Sequence, residues 1–264
     1  LGIVGYANAA VRTLELEAMD EAGKTKAIEK LIAMQDGGMT NLWDGLKTSM
    51  EMLYERDDAS TIFNGFPSKM RNSTIYLLTD GVPNVDPPRG YVPAMQRFRD
   101  QHGGKYPGVL NTFGFGYNLK SDLLLDLACE GQGSYALIPD SGFVGTVFVN
   151  ALGNTLTTLA NECIVSISTE KVDKRVTACT PLDMNSQSSA DSIVFHGKTM
   201  QIGQPYGSIF LVDDNELPLV LAKIKYVTAS TQQQREISVV GPSGPASNVD
   251  EQEIILDKYT NTPD

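Results

Sequence analysis

The 264-residue chain reads as an α/β protein with a doubly wound, mainly parallel sheet over residues 1–160, followed by an all-β sandwich over 161–264. Three observations carry that expectation. Up to about residue 160, short apolar runs alternate with amphipathic helical stripes, the order that builds a parallel sheet covered on both faces. The run 75–79 is apolar or β-branched throughout, as a strand buried on both faces must be. From about Cys163 helical periodicity disappears, and strand-like runs are separated by turn residues, including 213–215 and 241–245.

Taken in order, residues 1–6 and 12–17 read as two strands, joined as a hairpin by the link Asn8-Ala9-Ala10. Residues 24–34 carry a helical stripe at Ala27, Ile28, Leu31 and Ile32, and 42–54 another at Leu42, Leu46, Met50 and Leu53. The strand 75–79 is followed by a helix near 92–101 and a strand over 109–115. A helix near 121–128 lies behind the cap-like Asn118, then a strand over 134–138 and a long helix from about 143 to 159. The apolar positions of that last helix, Val144, Val147, Phe148, Ala151, Leu152 and Leu156, need a surface to cover. The second part offers strand-like runs at 164–168, 175–179, 192–195, 208–212, 219–227, 237–240 and 253–256.

Composition excludes several functions. A net charge of −11 repels nucleic acid and anionic membrane alike. No apolar run approaches the roughly 18 residues of a membrane helix, so no membrane insertion is expected. The chain opens on a strand, with neither an initiator Met nor a basic leader, and reads as cut. Cys129, Cys163 and Cys179 are odd in number and lack Cys-x-x-Cys spacing. They read as free buried thiols of a reducing, cytoplasmic compartment, with a Cys163–Cys179 disulfide as the alternative. Asn72-Ser73-Thr74 spells a glycosylation sequon, but it directly precedes a buried strand.

An enzyme is not expected. His102 and His196 are the available imidazoles, one at a helix end and one at a strand end. No Gly-x-Ser-x-Gly elbow or His-Glu-x-x-His pair appears, and Gly114-Phe115-Gly116 lacks the third glycine of a dinucleotide site. Trp43 reads as core.

The chemistry converges on one rim. An aspartate at the carboxyl end of a buried strand, here Asp80, points into the crevice where open α/β sheets bind ligands, although Asp80-Gly81 is also a common turn. The loop from Gly37 through Gly38 to Thr40 opens the second helix, and Asn41 is a suitable N-cap. A hydroxyl from Thr40, a carboxylate from Asp80 and waters are the ligand types of a hard cation such as Mg²⁺. Gly81 and Gly116 would line the same rim.

In order, Leu1-Gly2-Ile3-Val4-Gly5-Tyr6, Gly38-Met39-Thr40-Asn41, Leu77-Leu78-Thr79-Asp80-Gly81 and Phe113-Gly114-Phe115-Gly116 resemble a von Willebrand factor type A domain over residues 1 to about 160. The whole chain is similar to proteins in which such a domain precedes an intein-like, Hint-type region. The resemblance implies a metal-ion-dependent adhesion site built from an Asp-x-Ser-x-Ser loop, a threonine and an aspartate. Thr40 and Asp80 match the last two. The Asp-x-Ser-x-Ser loop has no counterpart here; the family pattern places it upstream of Leu1, on a strand between 1–6 and 75–79, so the resemblance gives Mg²⁺ or another divalent cation to an intact parent and an incomplete site to this chain. Those two strands should therefore be separated by about twice the usual 4.8 Å spacing, or by another segment. Asp44, a turn along the helix, reads as a solvated or supporting carboxylate, with Gly38, Asn41, Gly81 and Gly116 around it on the rim. The implied function is a cation-dependent binding module whose protein partner presents a carboxylate. The alternative is a scaffold in a self-processing protein, with a vestigial metal site.

Overall fold

The computed structural model describes residues 1–35, 37–56, 62–63, 66–67, 72–169, 176–178, 187–188, 192–197, 199–203, 210–212, 220–228 and 233–241. The chain divides into two compact units, one formed by Leu1–Asn161 with 198–202 and 228–232, the other by the remainder.

The first unit opens with β1 (Ile3–Tyr6) and β2 (Ala10–Leu14), an antiparallel hairpin in which Tyr6 faces Ala10 and Gly5 faces Val11. The second strand thus starts two residues before the expected 12–17 and ends at Leu14, because the turn closes within Ala7–Ala9 through an Ala7 N–H to Ala9 carbonyl bond of 3.2 Å. Helix α1 (Glu21–Ile32) begins earlier than its apolar stripe, because Asp20 caps it by accepting the Gly23 N–H at 2.8 Å. Its stripe does not face a core. Gly23 and Ala27 are its buried residues, whereas Ile28, Leu31 and Ile32 are exposed. Helix α2 (Leu42–Arg56) buries Leu42, Leu46, Met50 and Leu53 at the expected spacing. A short pair follows, β3 (Ile62–Phe63) and β4 (Phe66–Pro67).

Next come β5 (Thr74–Thr79), α3 (Tyr91–Gln101), β6 (Val109–Phe115), α4 (Ser121–Glu130), β7 (Gln132–Ile138) and α5 (Val144–Leu156). Strands β5, β6 and β7 form a parallel sheet in that order, with Ile75 beside Leu110, Leu77 beside Thr112 and Thr79 beside Gly114. Alternation along the strands sorts the side chains onto two faces. Ile75, Leu77 and Leu110 join Leu42, Leu46 and Met50 of α2, Met95 and Phe98 of α3, and Leu124 and Leu127 of α4 in one core. On the opposite face Phe148 of α5 stacks on Phe113 at 5.0 Å between centroids, and the Tyr76 hydroxyl donates to the Ala151 carbonyl at 3.0 Å.

Three expectations need correcting here. Strand β5 is not buried on both faces: among the described residues it is the edge of its sheet, and Leu78 is 46% exposed. Helix α4 is capped at Lys120 rather than Asn118, with no side-chain capping bond. Helix α5 stops at Leu156, and Leu152 and Leu156 point away from the face it covers. In keeping with the expected separation of 1–6 from 75–79, strand β1 does not pair with β5; the two belong to separate sheets.

The remaining strands are β8 (Thr158–Thr169), β9 (Val176–Ala178), β10 (Gln187–Ser188), β11 (Ser192–Gly197), β12 (Met200–Gln201), β13 (Phe210–Val212), β14 (Val220–Thr228) and β15 (Gln234–Val240). They form a sheet in the order β10-β11-β8-β14-β15, with β12 on β8, in which the β10–β11, β11–β8, β12–β8 and β14–β15 pairs are antiparallel, and a separate antiparallel β9–β13 pair. Among the described residues of the second unit there is no helix. The strand expected at 253–256 and Cys179 lie outside the described residues. Cys163 is buried and free. Cys129 is free too, but exposed on α4 rather than buried.

Candidate metal centre

The rim is built from backbone outward. Gly37 and Gly38 adopt φ of 117° and 97°, a region that favours glycine, and a Cβ on Gly38 would lie 3.0 Å from the Asn8 Oδ1. The next three amides each donate to a different segment. Met39 N–H goes to Asn8 Oδ1 at 2.8 Å, Thr40 N–H to Asn84 Oδ1 at 2.8 Å, and Asn41 N–H to the Ala7 carbonyl at 2.9 Å. The Asn84 N–H returns to the Thr40 carbonyl at 3.3 Å. The loop carrying Thr40 is thereby tied to the loop that follows Asp80.

Asn41 caps α2 as expected, its Oδ1 accepting the Asp44 N–H at 3.2 Å, while its Nδ2 donates to the Asn8 carbonyl at 3.1 Å. The Asp44 carboxylate accepts the Ala10 N–H at 2.6 Å, which fixes the β1–β2 turn to the helix. Gly81 closes a tight turn around Asp80, its N–H lying 3.4 Å from the Thr79 Oγ1. Gly116, at φ 80°, ends β6 by donating to the Ile138 carbonyl at 2.8 Å; among the described residues no hydrogen bond ties it to the Thr40 or Asp80 loops.

Two oxygen groups are left over. Among the described residues neither the half-buried Thr40 hydroxyl nor the exposed Asp80 carboxylate has a protein hydrogen-bond or ion-pair partner. Each is an oxygen donor of the type that hard cations take. Among the described residues no group of three or more His, Cys, Asp or Glu side chains is placed so that it could hold a metal ion. Sequence reasoning missed Asn8, Asn84 and Tyr6. The Tyr6 phenol donates to the Leu78 carbonyl at 2.5 Å, and burial pushes its pKa up, with a smaller contribution from the Asp80 charge. Behind the rim, Tyr91 donates to the Val85 carbonyl at 3.2 Å; burial, and then Asp86, raises its pKa and keeps it a donor.

A von Willebrand factor type A protein from Catenulispora acidiphila superposes with a TM-score of 0.55 at 14% identity, over 90% of this chain and 57% of that one. The fold is von Willebrand factor type A-like. The human COPII-coat protein Sec24c superposes with a TM-score of 0.51 at 12% identity, over 83% of this chain and 31% of that one. In sequence, inter-alpha-trypsin inhibitor heavy chain H3 of Homo sapiens is 35% identical over 101 residues, 38% of this chain and 10% of that protein. Its Bos taurus counterpart is 33% identical over 108 residues, 41% of this chain and 11% of that protein. The chain thus spans about a tenth of the length of the curated relatives it matches. No family model matches.

Proposed function

We propose that this von Willebrand factor type A-like unit is a protein-binding module that holds a divalent cation, Mg²⁺ in the first instance, through the Thr40 hydroxyl and the Asp80 carboxylate. The observation that carries the reading is the pair of unpartnered oxygen groups on two loops joined through Asn84. A bound cation would supply an open coordination position for a carboxylate of the protein partner, a charge-assisted contact that favours specificity over bulk affinity. Thr40 and Asp80 would bind, Asp44 and Asn41 would hold the loop and helix start in place, and Gly38, Gly81 and Gly116 would keep the rim open. The remaining ligands are assigned by the resemblance to an Asp-x-Ser-x-Ser loop, a motif absent from residues 1–264.

The same reading takes residues 1–160 as the binding domain and 161–264 as an accessory β-sandwich whose two sheets pack together. It assigns the chain no enzymatic role. Its acidity, at −11, argues against a nucleic-acid partner. The alternative, a scaffold in a Hint-type self-processing protein, rests on the sequence resemblance alone.

Calorimetric titration with Mg²⁺ tests the reading. The wild-type chain should give a saturable heat that Asp80→Ala and Thr40→Ala both abolish, while their Tm values stay within about 4 °C of wild type. Binding of Mg²⁺ by Asp80→Ala equal to that of wild type would refute the site.

A further inference from the structure

We infer that Asn84 is a positioning residue that sets where the Thr40 hydroxyl stands relative to Asp80; this rests on the cation reading above. Three consecutive amides, those of Met39, Thr40 and Asn41, each reach a different acceptor, so the loop backbone is fixed from both sides. Two of those anchors, Asn8 and Ala7, belong to the β1–β2 turn, which meets β5 at one remove, through the Tyr6 hydroxyl on the Leu78 carbonyl. Asn84 is the anchor from the Asp80 side. It grips Thr40 at both backbone groups, its Oδ1 accepting the N–H at 2.8 Å and its own N–H donating to the carbonyl at 3.3 Å. A two-point contact of that kind restrains both the distance and the rotation of the Thr40 peptide units relative to the β5–α3 loop. With the backbone so engaged, the Thr40 hydroxyl is left over for a ligand. Three residues, Gly81, Val82 and Pro83, separate Asp80 from Asn84, and the turn at the Asp80 end is closed by Thr79 and Gly81. Loss of the Asn84 side-chain acceptor would leave Asp80 in place and hold Thr40 to its loop by the Asn84 N–H alone.

The test uses the 264-residue chain and Mn²⁺, whose paramagnetism broadens the NMR signals of nearby nuclei. In wild type, Thr40 and Asp80 should broaden together over one titration. Asn84→Ala removes the side-chain acceptor and should raise the Mn²⁺ midpoint about tenfold, the equivalent of one lost hydrogen bond. It should also speed amide exchange at Thr40 while leaving Met39 and Asn41, whose acceptors are untouched, as they were. Asn84→Asp keeps an acceptor oxygen at the same reach and should restore the slow exchange of Thr40. A role in stability alone would lower Tm and accelerate all three amides together. An unchanged Thr40 exchange rate in Asn84→Ala, or an unchanged Mn²⁺ midpoint, overturns the inference. If wild type shows no broadening at Thr40 and Asp80, the cation reading fails instead, and the exchange pattern still decides whether Asn84 holds the loop.

Discussion

The phenol of Tyr6, on β1, donates a 2.5 Å hydrogen bond to the carbonyl of Leu78, on β5, and so joins two strands that belong to separate sheets. The contact stands where strand pairing between β1 and β5 is absent. Tyr6→Phe keeps the ring and removes the donor, which should cost about 0.5–1.5 kcal/mol, the net worth of one such bond in a partly solvated place. Urea unfolding should show a lower midpoint at unchanged m. An unchanged midpoint would mean that water serves Leu78 equally well.

The Tyr6 ring has a second neighbour. A Cβ added to Gly45 of α2 would lie 2.7 Å from Tyr6 Cδ1 and Cγ. Helix propensity alone makes Gly→Ala favourable by about 1 kcal/mol, but forcing an atom into a packed contact costs about 1–3 kcal/mol. The steric term should win. Gly45→Ala is therefore expected to destabilise by about 1 kcal/mol in thermal or urea unfolding, and a gain in stability would show that the ring moves aside freely.

How legible was this in the sequence? The parallel strands and α2 were readable because their signals are local: Leu42, Leu46, Met50 and Leu53 repeat at helical spacing, and all four are buried. Helix α1 shows the limit of that signal. Ile28, Leu31 and Ile32 have the same spacing and mark a helix, yet they are exposed, because periodicity specifies a face and says nothing of what covers it. Thr40 and Asp80 were legible as residue types at a loop and a strand end. The clasp between their loops was not. The Thr40–Asn84 bond spans 44 residues, and an asparagine in a loop reads as turn chemistry until the partner is seen.

Alkaline pH offers a test of three buried or partly buried tyrosines, Tyr6, Tyr91 and Tyr106. Tyr106 donates to Glu130 Oε1 at 2.6 Å, and Arg99 Nη1 lies 3.3 Å from the same oxygen. Burial, then the Glu130 hydrogen bond, pushes the Tyr106 pKa above its ordinary value, and Tyr6 and Tyr91 shift the same way, chiefly through burial. A folded-state pKa above the unfolded value of about 10 contributes stability that is fully present below pH 10. That contribution is lost as pH rises through the folded-state values. Melting temperature should hold at neutral pH and fall from about pH 10 upward. Tyr106→Phe should flatten part of that fall, while costing about 1.5–3 kcal/mol at neutral pH because Glu130 loses a donor. A Tyr106→Phe curve parallel to wild type would show that other groups set the alkaline limit.

The two sides of α5 make opposite predictions from similar residues. Val144, Val147, Phe148, Ala151 and Thr155 are the partly buried positions of its packed side, and Phe148 meets both Phe113, at 5.0 Å, and Tyr76, at 6.4 Å. Leu156 is 76% exposed. A fully buried Phe→Ala costs about 3–5 kcal/mol, and Phe148 is only partly buried, so Phe148→Ala should cost about 2 kcal/mol. Leu156→Lys places a charge where there is already water, so unfolding free energy should stay within about 0.5 kcal/mol of wild type. Sequence periodicity places both residues on the face that needs a surface to cover, so equal losses would restore that assignment. Unequal losses, with Phe148 the larger, would mean that α5 covers the parallel sheet through one narrow stripe.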